Sequence, residues 1–575
     1  MWPFSTPAHI QVARRKQAAR ADALRDTTPA DPFSPKLVHE RYLYATASEI
    51  VRQIAKREWT ASEVLEAYIA RAALAQELTN CLTEAMFGAA RKHAKALDAE
   101  FASTGRLRGP LHGVPVSFKD TYDVKGQDTT MGYSSRAGKP SAEESMVVAL
   151  VRKAGGIPLT KTNVPQCIFF FECSNPVWGR SLNPYSRSYT CGGTSGGEAA
   201  LLALDGAALG WGSDIGGSLR IPAAFCGVYS LKPGFGRVSM AGAEGNWSGF
   251  EGIRTVNGPM GRSVDDLELA SRLVFGQAAP GESYPAPLPF RDVDLAPRLR
   301  FGFYTSDGFV RPSPANQRAV REAVDALRRA GHECVEVRVP DIKGVMEIFM
   351  GITAADGYKT ISADLGRDPI DNGVSSLLLG PSLFGWLRTS IAFVLERCMG
   401  DPMLASVVRE TRSRPVHEFH KCVKQRDEYT ARFYREVWDK HQLDGIIAPT
   451  LALPALPHNS CQYLATIATA CLLYNVVDSP VGTLPVSRVD PAVDRAPAGY
   501  DPAHAAPGGS PLVDKLLYGP GGFYDADAMA GIPVGVQLVG RRWEEERVLG
   551  MMRVLDAALG PRDVGRPGSW TGQGA

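Results

Sequence analysis

Residues 191–226 have the sequence CGGTSGGEAALLALDGAALGWGSDIGGSLRIPAAFC. Two glycine-embedded hydroxyl sites, Thr194–Ser195 and Ser218, flank a run of small and apolar residues that is typical of a helix. Glycines without side chains allow backbone N–H groups to converge on a developing oxyanion, which acyl transfer requires. The segment therefore favours a site for nucleophilic attack on a carbonyl carbon, and it decides how the rest of the chain is interpreted.

Two other interpretations of the same glycines fit less well. A phosphate-binding loop needs a Lys-Ser/Thr pair after its last glycine, but Gly197 is followed by the carboxylate of Glu198, which would repel phosphate. Residues 193–197 match the G-x-S-x-G elbow of α/β-hydrolases, with Ser195 at the centre. The preceding SRSYTCGG is not an apolar strand, however, and no acid-then-histidine order follows. We favour neither.

A base for such chemistry is found upstream, in the stretch HGVPVSFKD at 112–120. Val114, Val116 and Phe118 alternate as in a strand, and Lys119 stands at the strand end. Desolvation there would keep the amine neutral and basic. Lys119, a bridging hydroxyl and Ser218 would then form a proton relay that needs neither histidine nor metal; the alternative is a surface lysine.

On these motifs the chain resembles the amidase signature family. The glycine–serine signature is matched from Gly192 through Ser218 to Pro222, the lysine motif by HGVPVSFKD, and the C-terminal feature by GIPVGVQLVGRRWEEERVLG. The chain is most similar to fungal amidases and fatty acid amide hydrolases, through NVPQ, ECSNPVWGRSLNP and AFCGVYSLKP. The resemblance covers about residues 40–560. It implies an α/β fold with a central twisted mixed β-sheet flanked on both faces by α-helices.

The family uses a Ser–cis-Ser–Lys triad, and the resemblance implies a role for each matching position. Ser218 stands at the position of the nucleophile and Lys119 at that of the general base. The bridging position falls on Thr194, since 218 − 194 = 24 matches the family's spacing. The family's usual serine is therefore a threonine here, whose β-methyl restricts χ1. Full, slowed and altered activity all remain open.

Other residues of the signature are implied as supports of this triad. The resemblance implies an oxyanion hole formed by backbone N–H groups, and side chains that brace the loop. The hole is assigned to Ile215, Gly216, Gly217 and Ser218, and the bracing to Ser195, Asp214 and Arg220. No cofactor and no metal are implied.

The implied activity is hydrolysis of the C–N bond of linear carboxylic amides through an acyl-enzyme on Ser218. Two alternatives stay open: an acyltransferase or an amide-forming or cyclising enzyme that uses the same acyl-enzyme, and a non-catalytic scaffold. The expected partner is a small-molecule amide. A net charge of +2 without a concentrated basic excess argues against nucleic acid.

The segment VSSLLLGPSLFGWLRTSIAFVLERCMG, at 374–400, is markedly apolar. It carries Leu377, Leu378, Leu379, Phe384, Trp386, Ile391 and Phe393. In fatty acid amide hydrolases the similar region forms a membrane-dipping cap over the acyl channel, which implies a hydrophobic or aromatic acyl group and association with a membrane surface. The alternative is a set of core helices in a soluble enzyme. A homodimer is also left open.

Across the 575 residues, strands alternate with helices, which predicts an α/β fold. We expect a helical arm at 1–35, one domain at 36–560 in which 341–440 forms the apolar channel or cap, and a flexible tail at 561–575. The arm has basic residues at Arg14, Arg15, Lys16 and Arg20, for which we predict a solvated helix face. The Pro/Gly-rich stretch 490–523 is predicted to be a surface loop.

Cysteine usage and the N-terminal sequence bear on the compartment. The ten cysteines are scattered without a CxxC pair, which is typical of buried thiols in a reducing compartment. The N-terminal sequence MWPFSTPAHIQVARR has no apolar signal-peptide core. These features predict a cytoplasmic protein, with peripheral membrane association left open.

Overall fold

An eleven-stranded mixed β-sheet runs through the computed structural model, which describes residues 6–25, 37–243, 245–496 and 509–564. The strands of this sheet are β1 (Leu82–Ala85), β2 (Pro115–Lys119), β3 (Ile157–Thr162), β6 (Leu209–Asp214), β7 (Tyr229–Lys232), β8 (Val256–Gly261), β9 (Arg300–Phe303), β10 (Glu333–Glu336), β11 (Gly445–Pro449), β12 (Val481–Arg488) and β13 (Pro533–Val539). The short strands β4 (Ser174–Asn175) and β5 (Gly179–Arg180) form a separate pair.

Helices flank the sheet and complete the α/β fold that the sequence predicts. In chain order they are α1 (Ala8–Arg25), α2 (Leu37–Leu43), α3 (Ala47–Ala55), α4 (Ala61–Thr79), α5 (Phe87–Thr104), α6 (Met146–Lys153), α7 (Gly196–Ala203), α8 (Arg220–Cys226), α9 (Val264–Val274), α10 (Pro314–Arg329), α11 (Ile342–Thr353), α12 (Lys359–Ser362), α13 (Asn372–Ser382), α14 (Gly385–Phe393), α15 (Pro402–Glu410), α16 (Val416–Phe433), α17 (Thr469–Val476), α18 (Pro511–Tyr518) and α19 (Glu545–Leu559).

The strand order is β1-β3-β2-β6-β8-β7-β12-β13-β11-β9-β10. Strand β2 is parallel to both of its neighbours, β3 and β6, whereas β8, β7, β12 and β13 are joined by antiparallel pairs. The carboxyl ends of parallel neighbours lie at the same edge of a sheet. The residues that end β2 and β6 therefore meet, and both strands belong to the motifs that the sequence singles out.

Local signals in the sequence determine where several elements begin and end. Thr60 caps α4 and forms a capping box with Glu63. Helix α6 ends before Gly155, whose φ of +85° suits a residue without a side chain, and β3 follows.

The N-terminal helix α1 is present as predicted, but the prediction for its basic residues is partly wrong. Arg14 and Arg15 are exposed. Lys16 instead forms ion pairs with Glu84 at 2.5 Å and Asp128 at 2.8 Å, with only 13% of its side chain exposed. Arg20 donates to the Leu82 carbonyl at 2.5 Å. These two cations attach α1 to the edge strand β1, which contains Leu82 and Glu84. Their partners are distant in the sequence, so the sequence of α1 alone does not reveal them.

The stretch 490–523 is not entirely a loop, because it contains α18. Ser510 caps this helix by accepting the Val513 N–H, and Pro511 occupies its first turn. Val513 and Leu517 are buried. A short amphipathic helix therefore forms despite the high proline and glycine content of this stretch. Residues 497–508 of the same stretch lie outside the described residues. So do residues 26–35 of the predicted helical arm and residues 565–575 of the predicted tail.

Candidate active site

Four segments at one edge of the sheet carry the residues that the sequence singles out. Lys119 is the last residue of β2, and Asp214 is the last residue of its neighbour β6. Thr194 lies two residues before α7, and Ser218 lies two residues before α8. The parallel pairing of β2 and β6 brings the lysine motif and the glycine–serine signature together.

The Lys119 amine is fully buried and is held by two hydroxyls. Its Nζ donates to Thr194 Oγ1 at 2.5 Å and to Ser213 Oγ at 2.9 Å. Burial lowers the pKa of Lys119 to about 7, against which Asp214, Cys173 and Glu198 act more weakly. The amine is therefore neutral in a large fraction of molecules at neutral pH, and it has a hydroxyl as its direct partner.

The structure separates the two adjacent hydroxyls of the loop. Thr194 follows a cis peptide bond after Gly193 and contacts Lys119. Ser195 turns away: its Oγ donates to the Ser213 carbonyl at 3.4 Å, and its N–H donates to the Ser218 carbonyl at 3.2 Å. Of the two, Thr194 is thus the residue next to the amine, and Ser195 ties the loop to β6 and to Ser218.

Ser218 is 7% exposed and lines a small cavity together with Thr194 and Ser213. Within the described part of the chain, no hydrogen bond joins the hydroxyls of Ser218 and Thr194. Such bonds are often long in unliganded enzymes and shorten when substrate binds. The hydrogen bond between Lys119 and Thr194 is present in this structure. A proton relay would also need a hydrogen bond between Thr194 and Ser218, which would have to form when substrate binds.

A buried ion pair fixes the loop that carries Ser218. Arg220 donates from Nε to Asp214 Oδ2 at 3.0 Å and from Nη2 to Asp214 Oδ1 at 3.1 Å, and both side chains are fully buried. Burial alone would raise the pKa of Asp214, but the charge and hydrogen bonds of Arg220, together with Lys232 and Asn475, outweigh it and keep that pKa well below its usual range. Arg220 also donates to Asn475 Oδ1 at 2.6 Å and to Gln537 Oε1 at 3.2 Å.

The backbone N–H groups of this loop divide into two sets. Gly217 donates its N–H to Asp214 Oδ1 at 2.8 Å, so this group holds the loop closed rather than remaining free. In the described ranges the N–H groups of Ile215, Gly216 and Ser218 have no hydrogen-bond partner. These three are the available donors for an oxyanion, and Gly217, with a φ of +107°, supplies the turn between them.

The family model described as Amidase matches residues 63–549.

The chain belongs to the amidase family.

Its relatives agree with this assignment. Amidase 1 of Gibberella moniliformis is 33% identical over 92% of this chain and 95% of its own length. Fatty-acid amide hydrolase 1 of Sus scrofa is 31% identical over 97% of this chain and 94% of its own length. A solved fatty acid amide hydrolase superposes with a TM-score of 0.81 at 26% identity, covering 96% of this chain and 95% of that one. The predicted resemblance is confirmed, and the chain is an amide-hydrolysing enzyme.

In this amidase an apolar cavity opens beside Ser218. Helices α11, α13 and α15, all within the segment 341–440, supply part of its wall, and the stretch 168–171 supplies another part. The apolar lining residues are Ile168, Phe169, Phe170, Phe171, Ile215, Met346, Phe349, Met350, Leu377, Val407, Ala465 and Leu472. A carbonyl carbon at Ser218 would therefore have an apolar space on one side.

Several residues of the site were not predicted from the sequence. Ser213 holds the Lys119 amine, and its role depends on the register between β2 and β6, in which Phe118 pairs with Trp211. Its position directly before Asp214, at the end of an apolar strand, is the one signal that could have found it. Glu198, considered above only as a group that repels phosphate, is buried and accepts from Thr162 Oγ1 at 2.7 Å; burial raises its pKa to about 7.

The apolar segment at 374–400 forms two helices with a sharp bend between them. In the described parts of the chain, no single helix is both long enough and apolar enough to cross a membrane. Asn372–Ser382 and Gly385–Cys398 reach that composition only as a pair bent by 106°. Phe384 and Trp386, at the bend, are 72% and 70% exposed.

Proposed function

We propose that this amidase cleaves the C–N bond of linear carboxylic amides through an acyl-enzyme on Ser218, with a Lys119–Thr194–Ser218 relay. The observation that carries the proposal is the fully buried Lys119 amine, which donates to Thr194 beside Ser218. A neutral amine in this position can accept a proton, and a hydroxyl between it and the nucleophile can transmit one.

The first half-reaction forms the acyl-enzyme. Lys119 takes the proton of Thr194 as Thr194 takes that of Ser218, and the Ser218 oxygen bonds to the amide carbon. The relay then runs backwards, so that Thr194 gives a proton to the nitrogen as the C–N bond breaks. Protonation is essential because an amine anion is a very poor leaving group. Water subsequently cleaves the ester and releases the acid.

The charge that develops on the carbonyl oxygen needs preorganised donors. We assign these to the N–H groups of Ile215, Gly216 and Ser218, which have no partner among the described residues. Asp214 and Arg220 are positioning residues, since they bond to the loop and to each other. Gly217 is also a positioning residue, because its N–H donates a hydrogen bond to Asp214.

The acyl part of the substrate is proposed to be hydrophobic or aromatic. The cavity beside Ser218 has aromatic and aliphatic walls, including Phe169, Phe349 and Leu472. Ligand sites of this kind take apolar groups and use few polar contacts to orient them. Fatty-acid amide hydrolase 1 of Sus scrofa, a relative, is named for substrates with such an acyl chain.

We also propose that the bend between α13 and α14 rests on a membrane surface. Its exposed side chains include Leu379, Phe384, Trp386 and Phe393. Leu377, on the same helix as Leu379, lines the apolar cavity. An exposed apolar patch of this kind marks an interaction surface, and helix α13 carries both part of this patch and part of the cavity wall.

The direct test of the function is a Ser218→Ala variant assayed on amides that differ in acyl length and aromaticity. Because the variant lacks the nucleophile, we expect amide hydrolysis to fall by about four orders of magnitude or more. Ser195→Ala is the matched control, since it removes the neighbouring loop hydroxyl that contacts neither Lys119 nor Thr194 in the structure; it should retain much more activity. Full activity of Ser218→Ala would overturn the proposal.

A further inference from the structure

The apolar cavity beside Ser218 contains a second polar side chain. Among the described residues of its wall, Ser218 and Thr466 carry a hydroxyl, whereas the other side chains are hydrocarbon or thioether groups. Ser218 is assigned to the nucleophile. Thr466, which is 6% exposed, has no part in the proposed chemistry. Its place in an otherwise apolar wall therefore needs another reason.

The Thr466 hydroxyl is left without a partner. Its Oγ1 is buried and forms no hydrogen bond within the described residues. Two neighbouring buried threonines are bonded instead: Thr469 Oγ1 donates to Asp307, and Thr353 Oγ1 donates to the Phe349 carbonyl at 2.8 Å. Buried hydroxyls are nearly always hydrogen-bonded in native proteins, because an unmet one costs free energy. A ligand in the cavity can supply the missing partner.

Thr466 lies far from the reacting carbonyl. It belongs to the turn Ala465–Ala468, which leads directly into α17. Leu472 of α17 contacts the oxyanion loop, since a Cβ built on Gly216 would lie 3.1 Å from its Cδ2. Thr466 precedes Leu472 by 472 − 466 = 6 residues, which at helical rises corresponds to about 10 Å. The group that meets Thr466 is therefore not the amide but a part of the acyl chain several bonds away.

A substrate group is a better partner for this hydroxyl than a bound water. A buried water makes about three hydrogen bonds, and the side chains that share the wall with Thr466, such as Phe171, Met350 and Leu377, offer none. A hydroxyl on an acyl chain arrives with apolar carbons that fill the rest of the cavity. One hydrogen bond is then enough to orient it. Threonine in a helix has two accessible rotamers, so its hydroxyl can meet a group placed in the cavity.

We propose that the apolar cavity binds acyl groups that carry a hydroxyl several carbons from the amide carbonyl, and that Thr466 recognises this hydroxyl. The inference rests on the proposed function of Ser218. Thr466 Oγ1 can donate to the hydroxyl or accept from it. The hydrogen bond takes no part in the chemical step, so Thr466 acts on the choice of substrate. A substrate without the hydroxyl is disfavoured because it leaves a buried polar group unpaired.

The test measures kcat/KM for pairs of amides of equal length that differ in one end group. 6-Hydroxyhexanamide, 8-hydroxyoctanamide and 10-hydroxydecanamide are each compared with the amide in which a methyl group replaces the hydroxyl: heptanamide, nonanamide and undecanamide. Thr466→Val keeps the shape of the side chain and removes its hydroxyl. At the length that places the substrate hydroxyl at Thr466, we expect this variant to lower the hydroxyl-to-methyl ratio by at least about tenfold.

Two further variants control the comparison. Thr466→Ser keeps a hydroxyl and should keep the wild-type ratio. Thr430→Val makes the same substitution at a threonine outside the cavity wall, whose hydroxyl donates to the Arg426 carbonyl at 2.8 Å, and it should leave the ratio as it is. Equal ratios in wild type and Thr466→Val at every chain length would overturn the proposal.

The thermal stability of the free enzyme gives a second test. Because the Thr466 hydroxyl has no partner within the described part of the chain, a methyl group of the same shape removes an unmet polar group. The Tm of Thr466→Val, measured without ligand, should therefore equal or exceed that of wild type. A Tm several degrees lower would show that the hydroxyl has a structural partner, and the proposal would fall.

Labelling of Ser218 with a fluorophosphonate separates this inference from the proposed function. If Ser218 is labelled and wild type hydrolyses the methyl-ended amides, but the ratio does not respond to Thr466→Val, recognition of a hydroxyl is wrong and the proposed function stands. If Ser218 is not labelled and no amide is hydrolysed, the proposed function fails and this inference fails with it.

Discussion

A lysine can act as a general base near neutral pH only if its charged form is penalised, and burial supplies that penalty at Lys119. Among the described residues, no carboxylate accepts a hydrogen bond from the Lys119 side chain; its partners are the hydroxyls of Thr194 and Ser213 and the Ser213 carbonyl. Two hydroxyls stabilise an ammonium much less than a carboxylate would. The same environment that lowers the pKa of Lys119 thus also orients its amine towards the loop.

The pH dependence of kcat/KM should reflect this group. Because burial lowers the pKa of Lys119 to about 7, the neutral base predominates above that pH and the protonated, inactive form below it. We expect kcat/KM for an amide to fall by about tenfold per pH unit below pH 7 and to level off above it. The measurement is a pH profile at subsaturating substrate, and a profile that is flat between pH 5 and 9 would contradict the assignment.

Substitutions at Thr194 test the bridge. Thr194→Ser keeps the hydroxyl and removes the methyl, so activity should remain within about tenfold of wild type. Thr194→Val keeps the shape and removes the hydroxyl, so kcat should fall by about a hundredfold or more. Both variants are compared with wild type by steady-state kinetics on the same amide. If Ser195→Ala lowers kcat more than Thr194→Val does, Ser195 and not Thr194 is the bridging residue.

Local motifs predict the two ends of the proposed relay, whereas packing determines which other residues surround them. Lys119 and Ser218 can be found because a strand-end lysine and a glycine-flanked serine are local patterns. Ser213 cannot be found in the same way, since its contact with Lys119 depends on the register between β2 and β6. Gly217 was predicted as an oxyanion donor, but its N–H is directed to Asp214.

At the scale of elements, the neighbours of a helix decide whether its charges and apolar residues face solvent. The basic face of α1 looks solvated in sequence, yet Lys16 finds Glu84 and Asp128 across the sheet edge. In the apolar stretch of α13 and α14, by contrast, apolar side chains that could be expected in the core are exposed, as Phe384 and Trp386 are. Neither outcome follows from periodicity, since each depends on contacts between distant segments.

The bend between α13 and α14 can be tested by liposome flotation. Phe384→Ser/Trp386→Ser should lower the fraction that floats with anionic or zwitterionic vesicles, because it removes two large exposed apolar side chains. Tyr463→Ser/Val493→Ser is the control, since these residues are 60% and 61% exposed and lie outside the segment. Equal flotation of all three proteins would refute the membrane surface, and loss of a dimer in the first variant would assign the patch to contacts between copies.

At the scale of the whole molecule, one sheet joins segments far apart in the chain into a single site. The lysine motif ends β2, the signature loop follows β6, and α11, α13 and α15 bring the apolar wall to the same edge. Alternation of strands and helices predicts the α/β class, and the family resemblance predicts the mixed sheet. The strand order and the packing of 341–440 over Ser218 arise from contacts across the fold.

The central claim is that Ser218 is the residue that becomes acylated. Peptide mapping by mass spectrometry, after rapid acid quench of the enzyme turning over an apolar primary amide, measures this directly. We predict an acyl adduct on the peptide that contains Ser218, with none in Ser218→Ala. An adduct on Thr194 or Ser195 instead, or undiminished turnover by Ser218→Ala, would contradict the account.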